Sequence, residues 1–178
     1  MSGYFLASER LGFRKWSEDD LELAVALWGD PEVARFIHAG GPPGRAAIAD
    51  RLAREIATDR EHGIQYWPIF LLEDGAFVGC SGLRPYRPDE GILELGTHLR
   101  PQYWSRGLAA EASRRVIDHA FEALGAKALF AGHNPANTAS RRLLARLGFA
   151  YTHDELYPPT GLLHPSYLLR RETVEIPS

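Results

Sequence analysis

Three short stretches of the chain hold residue types that could do chemistry. The first, "RPQYWSRGLAAEA" (residues 100–112), enters an alanine-rich helix start through Ser-Arg-Gly. A helix N-terminus gathers backbone N–H groups without intrahelical partners and a partial positive charge, so it attracts phosphate. Gly107 lets a ligand approach the backbone closely, and Ala109 is nearly as small. A plain strand-to-helix corner has the same pattern. The second stretch, "NPANTASRRLLARLGF" (residues 134–149), puts Asn134 at a strand end and Asn137 at a helix start, with Ser140 and Arg141 in the first turn. Two amides so placed either cap the loop and helix or hold an elongated polar ligand. Arg141 either reaches a phosphate or lies on a solvated helix face. The third stretch, "ILELGTHL" (residues 92–99), carries Glu94 and His98. Strand alternation places both on one face, opposite Leu93 and Leu95. A carboxylate can take up a proton, and so can an imidazole with a pKa of about 6.5. A salt-bridged glutamate and a packed histidine are the structural alternatives. Glu111 reads as structural, because a carboxylate in a first helical turn complements the dipole.

These stretches need elements to hold them. "ERLGFRKW" (residues 9–16) alternates as a first strand. Ser17 and the acids after it start a helix whose apolar positions are Leu21, Ala24, Leu27 and Trp28. "GDPE" ends that helix, and "IHAGGPPG" (residues 37–44) is a glycine-proline loop. Ile48, Leu52 and Ile56 mark a second amphipathic helix. "YWPIFLLE" and "AFVGCSGLR" then form a hairpin through Asp74-Gly75, and "GILELGTHL" follows the turn "RPYRPDEG". A helix from Ala109 to about Leu124 ends at Gly125. "KALFAGH" is a strand, a helix runs from Thr138 to Leu147, and late strands fit "FAYTHDE" and "HPSYLLRRE". The order is that of an α+β protein, not of a regular βαβ repeat.

The chain has 178 residues, which one domain spanning 1–178 accommodates. A formal net charge of −3 argues against a nucleic-acid partner and favours a cationic amine over a nucleic-acid-rich surface. The single cysteine, Cys80, excludes an intrachain disulfide and a cysteine metal cluster, and reads as a small buried strand residue. The remaining histidines (His38, His62, His119, His133, His153, His164) have no metal-ligand spacing, so no metal is expected. No apolar run is long enough to span a membrane. The N-terminus lacks a basic region ahead of its apolar part, so a cytoplasmic location is expected. The oligomeric state is open, with a homodimer allowed. Neither G-x-G-x-x-G nor G-x-x-x-x-G-K occurs, so a nucleotide switch lacks its lysine and its magnesium ligand.

Four segments together resemble the GNAT superfamily of acyl-CoA-dependent N-acetyltransferases, and within it the RimJ/RimL-type ribosomal-protein N-terminal acetyltransferases. They are "SERLGFRKWSEDDLELAVALWGDPEVARFI", "VGCSGLR", "LELGTHLRPQYWSRGLAAEA" and "NPANTASRRLLARLGF", covering most of residues 8 to 152. The resemblance implies a mixed, mostly antiparallel, splayed sheet flanked by about four helices. It implies acetyl-CoA as co-substrate and a primary amine, a peptide N-terminus or a small molecule, as acceptor. Backbone N–H groups of Arg106, Gly107, Leu108 and Ala109 would cradle the pyrophosphate of coenzyme A. The strand around Thr97 to Leu99 would splay so that pantetheine pairs with its backbone, and the N–H of Leu99 would hold the oxyanion. Asn134 and Asn137 would contact pantetheine or fix its loop, and Arg141 would reach a phosphate. Trp104 replaces the superfamily's usual Gln or Arg, as in the RimJ/RimL branch. Leu144 stands where many relatives carry a tyrosine acid, which makes Ser140 the substitute acid or leaves the thiolate to depart with none. A non-catalytic CoA-sensing module on the same fold is the alternative.

The chemistry requires a neutral amine, and an α-amine titrating near 8 needs less help than a lysine near 10.4. Glu94 is the favoured base, with His98 or a water relay as rivals. The acceptor site is expected under the glycine-proline loop and "LYPPTGLLHPSY", with one or two of Tyr66, Trp67, Tyr157 and Tyr167 facing it.

Overall fold

The structure, a computed structural model, describes residues 3–174. Residues 1, 2 and 175–178 of the expected 1–178 domain lie outside the described residues. The chain forms β1 (Leu6–Ala7), β2 (Leu11–Phe13), α1 (Leu21–Trp28), α2 (Pro31–Ala34), α3 (Arg45–His62), β3 (Tyr66–Leu71), β4 (Phe77–Arg87) and β5 (Ile92–Leu99). Then come α4 (Leu108–Glu122), β6 (Ala128–Gly132), α5 (Thr138–Leu147), β7 (Ala150–Tyr157), β8 (Leu162–Arg170) and α6 (Arg171–Val174). The strands make one eight-stranded sheet in the order β1-β2-β3-β4-β5-β6-β8-β7. Every neighbouring pair is antiparallel except β5–β6, which is parallel.

The mixed, mostly antiparallel α+β architecture read from the sequence is the one observed. Four of the helices, α1, α3, α4 and α5, have eight or more residues. Local chemistry sets their ends. Ser17 caps the turn ahead of α1 and pairs reciprocally with Asp20. Asn137 accepts the Ser140 N–H at 3.1 Å to start α5, and Gly148 closes it at a φ of 91°.

The sequence differs from the structure mainly at strand limits. The first expected strand is two short pieces, β1 and β2. β4 runs on through Pro85 to Arg87, where the sequence suggested a turn. Its pairing shifts between Pro85 and Arg87, the kind of irregularity where a residue without an N–H is tolerated.

Helices cover both faces of the sheet. On one face α4 and α5 bury Val116, Ile117, Leu144 and Phe149 against Leu95, Leu99, Leu129 and Leu169. On the other face α1 and α3 bury Leu27, Trp28, Ile48 and Leu52 against Tyr66, Phe70 and Cys80. Burial pushes the Cys80 thiol up to about 12, so it is a packing residue and not a nucleophile.

Candidate active site

The sheet comes apart at its one parallel junction. β5 and β6 pair at Ile92–Ala128, Leu93–Leu129 and Glu94–Phe130, and there the ladder stops. Beyond Phe130, β6 continues to pair with β8, through Ala131–Tyr167 and Gly132–Ser166. Leu95 to Leu99 therefore have β4 on one side and no β6 partner on the other. The Arg100 N–H donates to the Val78 carbonyl at 2.9 Å. Because antiparallel bonding alternates along a strand, Thr97 and Leu99 direct their N–H and C=O groups away from β4, into the gap. The Leu99 carbonyl accepts from the Trp104 indole N–H at 2.8 Å, while its N–H has no acceptor among the described residues. The Thr97 hydroxyl joins those of Ser81 (2.8 Å) and Ser113 (2.9 Å), pinning β4, β5 and α4 together behind the gap.

The open end of the gap meets the loop before α4. Ser105 has a φ of 59° and Gly107 a φ of 75°, so two left-handed residues in three shape the turn. For Ser105 that conformation is strained, and such strain concentrates at functional sites. The first helical bond of α4 runs from Glu111 N to Gly107 O. The N–H groups of Arg106, Gly107, Leu108 and Ala109 have no hydrogen-bond acceptor among the described residues.

Arg10 holds this loop from a distance in sequence. Its Nη1 donates to the Arg106 carbonyl at 3.0 Å, and its backbone N–H and Nε each reach Glu111 at 2.7 Å. A peptide plane carries its C=O and N–H in opposite directions. Drawing the Arg106 carbonyl toward Arg10 thus turns the Gly107 N–H the other way. Burial raises the Glu111 pKa, but hydrogen bonds from Ser8 and Arg10 outweigh it and hold the carboxyl below the ordinary range. Glu111 is a structural residue, and its partner Arg10 carries no local sequence signal.

The amides and helix of the second motif sit at the same end. Asn134 is buried and locally engaged: its Oδ1 accepts the Ala136 N–H at 2.9 Å and its Nδ2 donates to Phe36 O at 3.4 Å. Asn137 caps α5. Both therefore fix the loop. Ser140 is half-buried and its hydroxyl has no partner among the described residues, while Arg141 is exposed. Leu144, where a tyrosine acid would stand, is core.

Glu94 and His98 share the α1–α3 face, as alternation requires, but they do not meet. At about 3.3 Å per residue they stand about 13 Å apart along β5, and Leu99 is about 16 Å from Glu94. Glu94 lies at the closed end of the gap, beside the stacked pair of Tyr86 and Phe130 (centroids 3.9 Å apart). Its carboxylate is half-buried, with no hydrogen bond or ion pair among the described residues. Burial raises its pKa; Arg84 opposes this, and Glu155 and Glu55 reinforce it. His98 is differently placed. Its Nδ1 accepts from the Trp28 indole at 3.2 Å, so the neutral ring carries its proton on Nε2. Burial, then Arg51 and Arg84, hold its pKa well below the usual histidine value. With Nδ1 occupied, His98 offers a donor and no free lone pair.

Of the four aromatics named for the acceptor side, Tyr66 is buried on the α1–α3 face. Its ring crosses over Gly96, where a Cβ would lie 2.2 Å from Cζ. Trp67 is buried in the α4-side core. Tyr157 packs on His164, and Tyr167 packs on His133, its hydroxyl within 3.0 Å of Nε2. The two loops expected over the acceptor do meet: Ala39 N–H donates to Pro159 O at 3.1 Å. Arg51, Arg84 and Trp28 also stand on this face; the sequence read Trp28 only as an apolar helix position and gave Arg84 and Arg51 no role.

Fold and gap together define an acetyltransferase scaffold: a sheet parted beside a helix start with free N–H groups. Residues 10–150 match the family described as Acetyltransferase (GNAT) domain, and the chain belongs to that family. A curated relative, the uncharacterized N-acetyltransferase p20 of Bacillus licheniformis, is 28% identical over 144 residues, 81% of each chain. The structure of a GNAT-family acetyltransferase from Bacillus anthracis superposes with a TM-score of 0.80, at 21% identity, covering 94% of this chain and 98% of that one. RimL, a ribosomal L7/L12 alpha-N-protein acetyltransferase solved with coenzyme A, superposes with a TM-score of 0.77 at 12% identity, covering 92% of this chain and 95% of that one. At those identities the two structures bear on the fold alone.

Proposed function

We propose that the protein transfers the acetyl group of acetyl-CoA to a primary amine by direct attack on the thioester, with Glu94 as general base. The observation that carries this reading is the arrest of β5–β6 pairing at Glu94–Phe130. It leaves one groove with the free N–H groups of residues 106–109 at its mouth and a carboxylate without a partner at its closed end.

The pyrophosphate binds the N–H groups of Arg106, Gly107, Leu108 and Ala109, where the helix dipole adds attraction. Pantetheine has two amides and pairs with Thr97 and Leu99 as a short extra strand. Asn134 and Asn137 shape its loop, and Arg141 reaches a phosphate from the first turn of α5. The thioester then falls toward Glu94. The sequence proposed the Leu99 N–H as oxyanion donor, yet one carbonyl cannot touch Leu99 and be served by Glu94 about 16 Å away. We therefore assign Leu99 to the pantetheine arm.

Glu94 takes the proton of the attacking amine directly or through water. A raised pKa brings a carboxylate nearer the range in which a base works best. The amine nitrogen bonds to the acetyl carbon and the carbon–sulfur bond breaks. The thiolate, with an ordinary pKa of about 8.5, needs little assistance. In the absence of a tyrosine at position 144, its proton comes from solvent, with the Ser140 hydroxyl as the relay. By the four shared segments, the acceptor class is that of the RimJ/RimL branch, an α-amine at a peptide N-terminus, with small amines as the second choice.

The test is thiol release from acetyl-CoA against a panel of N-terminal peptides and small amines. Release with at least one acceptor supports the reading. Tight CoA binding without release from any acceptor overturns it in favour of a CoA-sensing module.

A further inference from the structure

Arg51 and Glu55 lie one turn apart on α3, the spacing at which an arginine and a glutamate ordinarily pair. Here they do not. Glu55 is buried, and both its oxygens are taken, by Arg84 Nη2 at 2.6 Å and by the Tyr66 N–H at 2.9 Å. Arg51 instead lays its guanidinium over the Trp28 ring, with Cζ 4.2 Å from the centroid. Its Nε is sealed from solvent without a hydrogen-bond partner, and no carboxylate lies within ion-pair distance among the described residues. Burial and then the neighbouring Arg84 push its pKa below the usual arginine value, yet a guanidinium stays charged in a protein. A stacked indole compensates part of this. It supplies no acceptor for the Nε–H, and buried donors are nearly always met.

The position of this cation gives it meaning. Trp28, on which it stacks, is the residue bonded to His98. Arg51 therefore stands at the His98 end of the face whose other end holds Glu94, with the Tyr66 ring over Gly96 between them. Arg84, across the strands from Glu94, already has its carboxylate.

We propose that Arg51 binds an anionic group, a carboxylate or a phosphate, on the acceptor, so that the substrate is an amine that also carries a negative charge. This rests on acetyl transfer occurring at Glu94. The planar fork of a guanidinium matches two oxygens of either anion at once. Glu94 and His98 stand about 13 Å apart along β5, and with Arg51 at the His98 end an acceptor that reaches both Glu94 and Arg51 carries its two charges several bonds apart. A short peptide with a free or acidic C-terminal end fits that span, and so does a long ω-amino acid. An α-amino acid does not. Arg51 thus offers a local cation on a chain whose acidic balance on its own favoured a cationic substrate.

The test compares pairs of amines that differ only in the anion: a tripeptide against its C-terminal amide, 6-aminohexanoate against its amide, and 4-aminobutyl phosphate against 4-aminobutanol. Thiol release is measured with wild type, Arg51→Gln and Arg51→Lys, and binding of the same pairs to the CoA-loaded protein is followed by calorimetry. The expected result is at least a tenfold preference in kcat/KM for one anionic member, carried by KM. The preference collapses toward one in Arg51→Gln and survives in part in Arg51→Lys, which also serves if the glutamine variant fails to fold. Equal use of both members by wild type, or a preference that persists in Arg51→Gln, overturns the proposal. Anion-dependent binding that Arg51→Gln abolishes, seen without any thiol release, upholds the subsite and sinks acetyl transfer instead. Absence of anion-dependent binding sinks the subsite.

Discussion

The two sides of β5 are built on opposite plans. Toward the gap and α4, the polar side chains are already engaged: Thr97 with Ser81 and Ser113, Trp104 with Leu99, Arg10 with Glu111 and Arg106. What that side offers to a ligand is backbone. Toward α1 and α3 the backbone is hidden and the free groups are side chains, Glu94 and Arg51 above all. Backbone N–H groups recognise a ligand whatever residues carry them, which suits a co-substrate shared by a whole family. Side chains can change one at a time, which suits an acceptor that differs among relatives.

The strongest way to break this contrast is Glu94→Gln. If the acceptor side supplies the base, kcat falls by about 10²- to 10⁴-fold, while the KM for acetyl-CoA holds. In wild type the rate rises with pH as the carboxyl loses its proton, through a value raised by burial, and that limb disappears in the variant. A pH–rate profile with an unchanged acid limb would remove Glu94 from the chemistry.

Next in size is Glu55→Ala. It strips Arg84 of its partner on the buried side of the same face, and removing one member of such a pair costs about 3 kcal/mol, at the low end because Arg84 keeps some exposure. Urea unfolding measures this directly. A loss well under 1 kcal/mol would mean that Arg84 finds another acid.

His98 gives a smaller, pH-dependent effect. Its pKa is depressed in the folded protein, so below about 6.5 the unfolded chain takes a proton that the folded chain refuses. Stability from this source is full above that value and falls by at most about 1.4 kcal/mol for each pH unit below it. Comparing wild type with His98→Gln at pH 5 to 7 isolates the slope, and identical slopes would show that the imidazole is not held neutral.

The smallest effect belongs to the gap side. Arg10→Ala removes two side-chain contacts, the hydrogen bond to the Arg106 carbonyl and the exposed ion pair with Glu111, together worth about 1 kcal/mol. It should raise the KM for acetyl-CoA about fivefold and leave kcat near wild type, with Arg10→Lys between. A change in kcat instead would place Arg10 closer to the chemistry than the loop it holds.

The gap side was the more legible of the two. Gly107, the stiff Pro101–Trp104 approach and the alanine helix start are local signals, and their backbone consequences follow within a few residues. The alternation that put Glu94 and His98 on one face is equally local. Arg10 was missed because its partner Glu111 lies 101 residues away. Arg51 was missed because its natural partner sits on the same helix turn and prefers Arg84, 29 residues on. The tyrosines could be named but not sorted, since which face each takes depends on strand register.

By itself the sequence determined the class of elements, their order, the start of α4 and the chemical types available on β5. These follow from patterns that repeat every two to four residues. Only the tertiary structure decided where β5 and β6 part, that His98 gives its lone pair to Trp28, and that Arg51 forms no ion pair among the described residues. Each of those depends on a competition among partners brought together from distant parts of the chain, and such a competition is settled by packing.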